Sequence, residues 1–272
     1  MGDRGEPSSR SGAGAQLRLH YGEHRDQVVD VRLPHAAGAR PLVVVVHGGF
    51  WRAEHDRAHA GRQSDALAAA GYMVATVEYR RVGDPGGGWP GTLDDMAALT
   101  DAVPRLVTEA VGSRADASAT VLVGHSAGGH LAAWAAARHR LPAGSPWRRA
   151  SPPAVGVVSL AGVLDLFESQ RLGLGDHAAA ALLGGSPAQH PQRYALASPA
   201  QLLPTGVRAR LVHGDADPWV PVAISRAYAE RARASGDDVT LRELAGVGHM
   251  ELIDPLSAAW PSVLAAIEEV LS

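Results

Sequence analysis

A serine set among very small residues is the first place in this chain where chemistry could happen. Ser126 stands in Gly124-His125-Ser126-Ala127-Gly128, directly after the aliphatic run Val121–Val123 and directly before the alanine-rich stretch Ala127–Arg138. A serine hydroxyl is a weak nucleophile until a base takes its proton. It is also reachable only if the backbone presents it on a sharp strand-to-helix turn, and such a turn leaves no room for large neighbours. Gly124, Ala127 and Gly128 supply that room. The helix that follows aims its first N–H groups and the positive end of its dipole at negative charge developing on an attacked carbonyl.

Attack by Ser126 needs a base and a group to orient it. His249 lies in Ala245-Gly246-Val247-Gly248-His249, a glycine-rich stretch between the last strand pattern and the last helix pattern. A histidine titrates near neutrality, so it can take the hydroxyl proton and later return it to a leaving group. Two aspartates compete as its partner in His213-Gly214-Asp215-Ala216-Asp217-Pro218-Trp219-Val220-Pro221. Asp217, in His-Gly-x-x-Asp followed by Val-Pro, is favoured as the acid. Asp215 is expected to shape the turn through side-chain-to-backbone hydrogen bonds. The order Ser126, Asp217, His249 then defines a nucleophile, an orienting carboxylate and a general base.

A developing oxyanion requires backbone N–H groups about 3 Å away. His47-Gly48-Gly49-Phe50-Trp51, after the aliphatic strand Pro41–Val46, offers glycines that permit such close approach. Gly49, Phe50 and Ala127 are the expected donors, with Gly48 in reserve, and His47 is expected to hold the loop. Trp51 and Trp219 are candidate walls of a substrate pocket. Trp89 is a weaker candidate, behind Gly86–Gly88, which could form a gating loop. His55 and His59 share the four-residue spacing of helical metal ligands. They lack the glutamate of H-E-x-x-H and a third ligand, so no metal site is expected. His125 and His130 are expected to pack or hydrogen-bond locally.

The elements that must position these residues alternate along the chain. Leu17–Tyr21 and Val28–Leu33 alternate apolar and polar residues and predict an antiparallel hairpin. Continuous aliphatic residues at 41–46 predict a strand covered on both faces. Strands at 72–78, 120–123, 155–160, 210–213 and 239–243 then alternate with helices at 57–70, 92–110, 127–138, 221–234 and 255–271. Pro104 is expected to kink or divide its helix, and Asp94 and Asp95 are expected to act as N-terminal capping charges. This alternation predicts a mainly parallel sheet with helices on both faces. Residues 162–204, rich in Gly, Pro and Ser, break the pattern and predict a small cap. Residues 1–15 are expected to be disordered and 16–272 to form one domain.

Composition removes other chemistries. The 272 residues contain no cysteine, which excludes disulfides, thiolate metal sites and thiol nucleophiles, and every one of the 25 Lys+Arg residues is arginine. Without lysine there is no Walker phosphate lysine, Schiff base or Ser–Lys dyad. A net charge of −3 gives no electrostatic case for nucleic acid or an anionic membrane. No dinucleotide fingerprint, signal peptide or membrane span is visible, so a cytoplasmic monomer or homodimer without metal or organic cofactor is expected.

With these residues in view, positions 15 to 272 resemble the α/β-hydrolase superfamily, in its esterase/lipase branch with a His-Gly-Gly oxyanion loop. That branch usually reads His-Gly-Gly-Gly, whereas here Phe50 and Trp51 follow. His-Gly-Gly-x-Trp and Gly-His-Ser-Ala-Gly-Gly-His-Leu resemble arylformamidases, and small acetyl/feruloyl-type esterases are closely similar. The segment Glu78-Tyr79-Arg80 resembles a structural segment of the same branch. The resemblance implies an α/β-hydrolase sheet of about eight strands and cleavage of a small or aromatic ester through an acyl-serine. Hydrolysis of an N-formyl aryl amine is the alternative, and a catalytically silent binding protein on the same scaffold is the rival from another class.

Overall fold

A computed structural model describes residues 16–272, so the segment 1–15 that was expected to be disordered lies outside the described residues. Eight strands form one sheet in the order β1-β2-β4-β3-β5-β6-β7-β8. They are β1 (Gln16–His20), β2 (Val28–Arg32), β3 (Arg40–Val46), β4 (Met73–Val77), β5 (Ala115–His125), β6 (Gly156–Leu160), β7 (Arg208–Gly214) and β8 (Val239–Leu244). The expected hairpin is present, with β2 antiparallel to both β1 and β4, and all other neighbours run parallel.

Strand β3 shows why an unbroken aliphatic run is needed. Leu42, Val44 and Val46 enter the core on one face, while Val43 and Val45 enter the core on the other. Every position of a strand covered on both sides must be apolar. Helices α1 (Gly61–Ala69) and α8 (Trp260–Leu271) cover the second face; α2 (Gly91–Val111), α3 (Ala127–Ala136) and α7 (Val222–Ala234) cover the first. The 162–204 stretch carries α4 (Leu166–Arg171), α5 (Leu174–Leu183) and α6 (Pro191–Ala197), whose Leu166, Leu182 and Tyr194 join the core of α2 and α3.

Two expectations about α2 are met only in part. Pro104 lies inside one continuous 21-residue helix and does not divide it. Leu93, Met96, Leu99, Val103 and Val107, before and after the proline, all lie in one core, so both halves are anchored to the same packing. Asp94 lies in the first turn, where a negative charge suits the helix end, but neither Asp94 nor Asp95 makes a side-chain cap bond, and the N-cap is Pro90. Asp94 accepts from the indole of Trp147, and buried Asp95 accepts from the Arg80 guanidinium and from Gln27. Tertiary partners outcompete the helix end. Among the described residues no helix is long and apolar enough to cross a membrane.

The useful consequence of this topology is that β3, β5, β7 and β8, all parallel with β6 between β5 and β7, end at the same edge of the sheet. The loops after them carry His47–Trp51, Ser126, Asp215–Pro221 and Ala245–His249, all at the carboxyl edge where open α/β sheets place their ligands.

Candidate active site

Ser126 sits between β5 and α3 with φ 56° and ψ −120°, the left-handed half of conformational space that a side chain rarely adopts. The strain is held by packing on every side. Its N–H donates to the Leu160 carbonyl at 2.8 Å. A Cβ on Gly124 would come 2.1 Å from the Gly128 carbonyl, and one on Gly128 would come 2.1 Å from the Val46 carbonyl. Glycine is therefore required at 124 and 128 because backbones touch there.

The loop after β7 delivers Asp217, whose carboxylate is fully buried. Its Oδ1 accepts from the N–H groups of Trp219 and Val220 at 2.8 and 2.9 Å. Its Oδ2 accepts from His249 Nδ1 at 2.5 Å, with His213 Nε2 3.3 Å away. Burial works to raise the affinity of Asp217 for a proton. The bonds from His213, His249 and the Val220 N–H outweigh it and hold the carboxyl far below the usual carboxylate range. Asp215 instead ties this loop to the next one, accepting from the Gly246 N–H at 2.7 Å. With Nδ1 committed to Asp217, His249 has Nε2 left for a ligand. Among the described residues no hydrogen bond joins His249 to the Ser126 hydroxyl, although both line one cavity. Such bonds often tighten only when substrate binds.

The loop after β3 turns through three successive positive φ values, at Gly49 (107°), Phe50 (49°) and Trp51 (58°). Among the described residues the N–H groups of Gly48, Gly49, Phe50 and Ala127 donate to no carbonyl, so all four donors are free. His47 anchors the loop. Its Nε2 donates to Glu78 Oε1 at 2.7 Å, and its ring stacks on Tyr79 with 4.5 Å between centroids. The Tyr79 hydroxyl donates to the His47 carbonyl at 2.9 Å. Burial would raise the Glu78 carboxyl, but His47, the Arg57 N–H and Arg81 bring it below the ordinary value.

A cavity of about 300 Å³ joins these loops, lined by Gly49, Phe50, Ser126, Trp219, His249 and Met250, with His55, His59 and His125 completing one wall. Trp219, half exposed, stands edge-on to the His249 ring at 5.1 Å. Trp51 does not reach the cavity. It is 0% exposed, and its indole N–H donates to His130 Nδ1 at 3.2 Å. The left-handed turn at residues 49–51 sends it inward. Trp89 is also absent from the lining and packs edge-on against Trp147. The Gly86–Gly88 segment is tightly bound: the Trp89 N–H reaches the Leu182 carbonyl at 2.8 Å, and a Cβ on Gly87 would overlap the Arg81 carbonyl.

Sequence reasoning missed the histidine wall. His55 packs on the Cα side of Gly49, where a Cβ would lie 2.4 Å from its own Cβ. His59 stacks over His125 at 6.1 Å and 23°. Burial, then the neighbouring imidazoles, push His59 below its ordinary value, and burial pushes His125 well below. The four-residue spacing of His55 and His59 is the signal the sequence offers for this wall. Among the described residues no three His, Asp or Glu side chains are grouped to hold a metal ion.

Residues 29–231 match the BD-FAE family model. Esterase LipC of Mycobacterium tuberculosis is 29% identical over 252 residues, which cover 87% of this chain and 60% of that protein. A kynurenine formamidase of Danio rerio is 29% identical over 165 residues, 60% of this chain and 50% of that protein. The chain thus spans half to three fifths of these two curated relatives. Among solved structures, a truncated carbohydrate esterase from gut microbiota superposes with a TM-score of 0.80 at 20% identity, covering 98% of this chain and 99% of that one. The esterase Est2 of Thermogutta terrifontis superposes with a TM-score of 0.71 at 22% identity, covering 94% and 91%. At such identities these two likenesses speak for the fold.

Proposed function

The chain belongs to the BD-FAE family and has the α/β-hydrolase fold, and from that premise we propose that it cleaves a carboxylic ester of a small or aromatic substrate through an acyl-enzyme on Ser126. The observation that carries this reading is one cavity shared by a serine on a strained strand-to-helix turn and an imidazole whose Nδ1 is held by a buried carboxylate.

Ser126 Oγ attacks the ester carbonyl while His249 Nε2 takes its proton, and Asp217 stabilises the imidazolium that forms. The carbonyl oxygen becomes an oxyanion against the N–H groups of Gly49, Phe50 and Ala127, with Gly48 next to them. Collapse breaks the C–O bond, and His249 returns the proton to the leaving alkoxide. Water then repeats the sequence on the acyl-serine, releasing a carboxylic acid and restoring the hydroxyl. Asp217 stays ionised throughout because its bonds hold its carboxyl low. A cavity of about 300 Å³ fits a small substrate, and Trp219 gives it an aromatic rim.

The test is a comparison of kcat/KM for p-nitrophenyl acetate with that for an N-formyl aryl amine, with Ser126→Ala alongside. The ester is expected to be the better substrate, and the variant to lose roughly 10⁶ in kcat. A much higher kcat/KM for the formamide would replace the ester with a formamide. Undiminished hydrolysis by Ser126→Ala would remove the acyl-enzyme altogether.

A further inference from the structure

Resting on the assignment of Ser126 and His249 above, we propose that His125 is a positioning residue that couples the turn bearing Ser126 to the loop bearing His249. It immediately precedes Ser126, and its Nε2 donates to the backbone carbonyl of His249 at 3.0 Å, across 124 residues of sequence. The two imidazoles lie with centroids 4.4 Å apart. Other bonds tie the His249 loop to the Asp217 loop: Ala216 N–H to the Val247 carbonyl, Gly246 N–H to Asp215, and His249 to Asp217. Among the described residues, the bond from His125 is the hydrogen bond that connects residues 245–250 to residues 124–130.

The state of the ring follows from its partners. A carbonyl only accepts, so Nε2 carries a proton. Burial, followed by the nearness of His249, disfavours a second proton, so the ring is neutral and Nδ1 is a bare lone pair. That nitrogen is buried without a partner, beside Gly48, where a Cβ would lie 3.2 Å from it. A buried unpaired nitrogen disfavours folding. An imidazole at this site is therefore unfavourable as filler, and its Nε2–H contact is what it contributes. The ring reaches from the Ser126 turn to the backbone of residue 249 and lies against the loop of free N–H donors. A small displacement of either loop would misalign a proton transfer, and misplacement of about 1 Å can cost 10²-fold.

Three variants test this. His125→Gln carries an amide N–H to the Nε2 position, His125→Asn places its amide near Nδ1, and His125→Leu keeps bulk without a donor. Folding of each is checked by circular dichroism and Tm. Asn and Leu are expected to lower kcat roughly 10- to 100-fold with KM little changed, and Gln to recover most of the loss. Leu as active as Gln would reduce His125 to packing and overturn the proposal. A second measurement places His125→Gln and His125→Asn in a His249→Ala background, where the difference between them is expected to vanish because it acts through the imidazole. A difference that persists there overturns the proposal even if Leu misfolds. Activity surviving in Ser126→Ala would instead sink the underlying assignment, so the two failures are told apart.

Discussion

His47–Glu78 and His249–Asp217 are histidine–carboxylate pairs at the same edge of the sheet, and of these two the second lines the cavity. His47 and Glu78 are both buried, 2.7 Å apart, with the imidazole stacked on Tyr79 and its Nδ1 2.8 Å from the Gly48 carbonyl. His249 and Asp217 are also buried, 2.5 Å apart, but the ring lines the cavity that holds Ser126. The first pair has spent both ring nitrogens on the protein. The second has spent one. A carboxylate beside an imidazole fixes a tautomer and an orientation in either case. On the proposed mechanism, the ring nitrogen left free beside the cavity is what separates a base from a brace.

The largest effect that could break this distinction is in the second pair. Asp217→Asn is expected to lower kcat roughly 10⁴-fold, because an amide no longer holds the productive tautomer. Steady-state kinetics on a folded variant checks this, and a loss of only a few-fold would put the carboxylate outside the mechanism.

Next in size is acid sensitivity. His130 donates from Nε2 to the Ala197 carbonyl and takes the Trp51 N–H on Nδ1, and burial pushes it down to about 4. The unfolded chain binds that proton near pH 6.5, so stability is full above 6.5 and is lost as pH falls toward 4. The loss amounts to about 3 kcal/mol. His125, also held low, acts in the same direction. Thermal unfolding between pH 7.5 and 4.5 is expected to show a falling Tm, with a shallower slope in His130→Gln. An equal slope in the variant would remove His130 as the source.

The brace makes a smaller, different signature. Glu78→Gln weakens its bonds to His47 and the Arg57 N–H, so it is expected to cost about 1–3 kcal/mol of stability. The kcat of the folded variant should fall far less than in Asp217→Asn. Denaturant unfolding beside kinetics separates the two, and a stable but inactive variant would erase the contrast. Smallest of all, Trp219→Ala is expected to raise KM for aromatic esters by about two- to ten-fold, whereas Trp51→Phe should shift Tm and leave KM alone. A KM change confined to Trp51→Phe would reverse that assignment.

Much of this was legible in the sequence because it is written locally. The run Leu42–Val46 alternates between two cores, and Gly124 and Gly128 flank a turn whose backbones touch. The loops holding Ser126, Asp217 and His249 follow from strand endings in a parallel sheet. What escaped depends on partners far along the chain. Trp51 and Trp219 look alike in sequence, yet a left-handed turn at residues 49–51 buries one and leaves the other half exposed. Asp95 has the composition of a helix cap but meets Arg80 and Gln27. Only contact with Gly49 and His125 reveals that His55 and His59 belong to the cavity wall.

The most direct measurement of the central claim is covalent. Treatment with a fluorophosphonate followed by peptide mapping is expected to place one equivalent on Ser126, with the rate of labelling collapsing in His249→Ala and persisting in a folded His47 variant. Labelling at another residue, or at Ser126 with a rate indifferent to His249, would contradict the account.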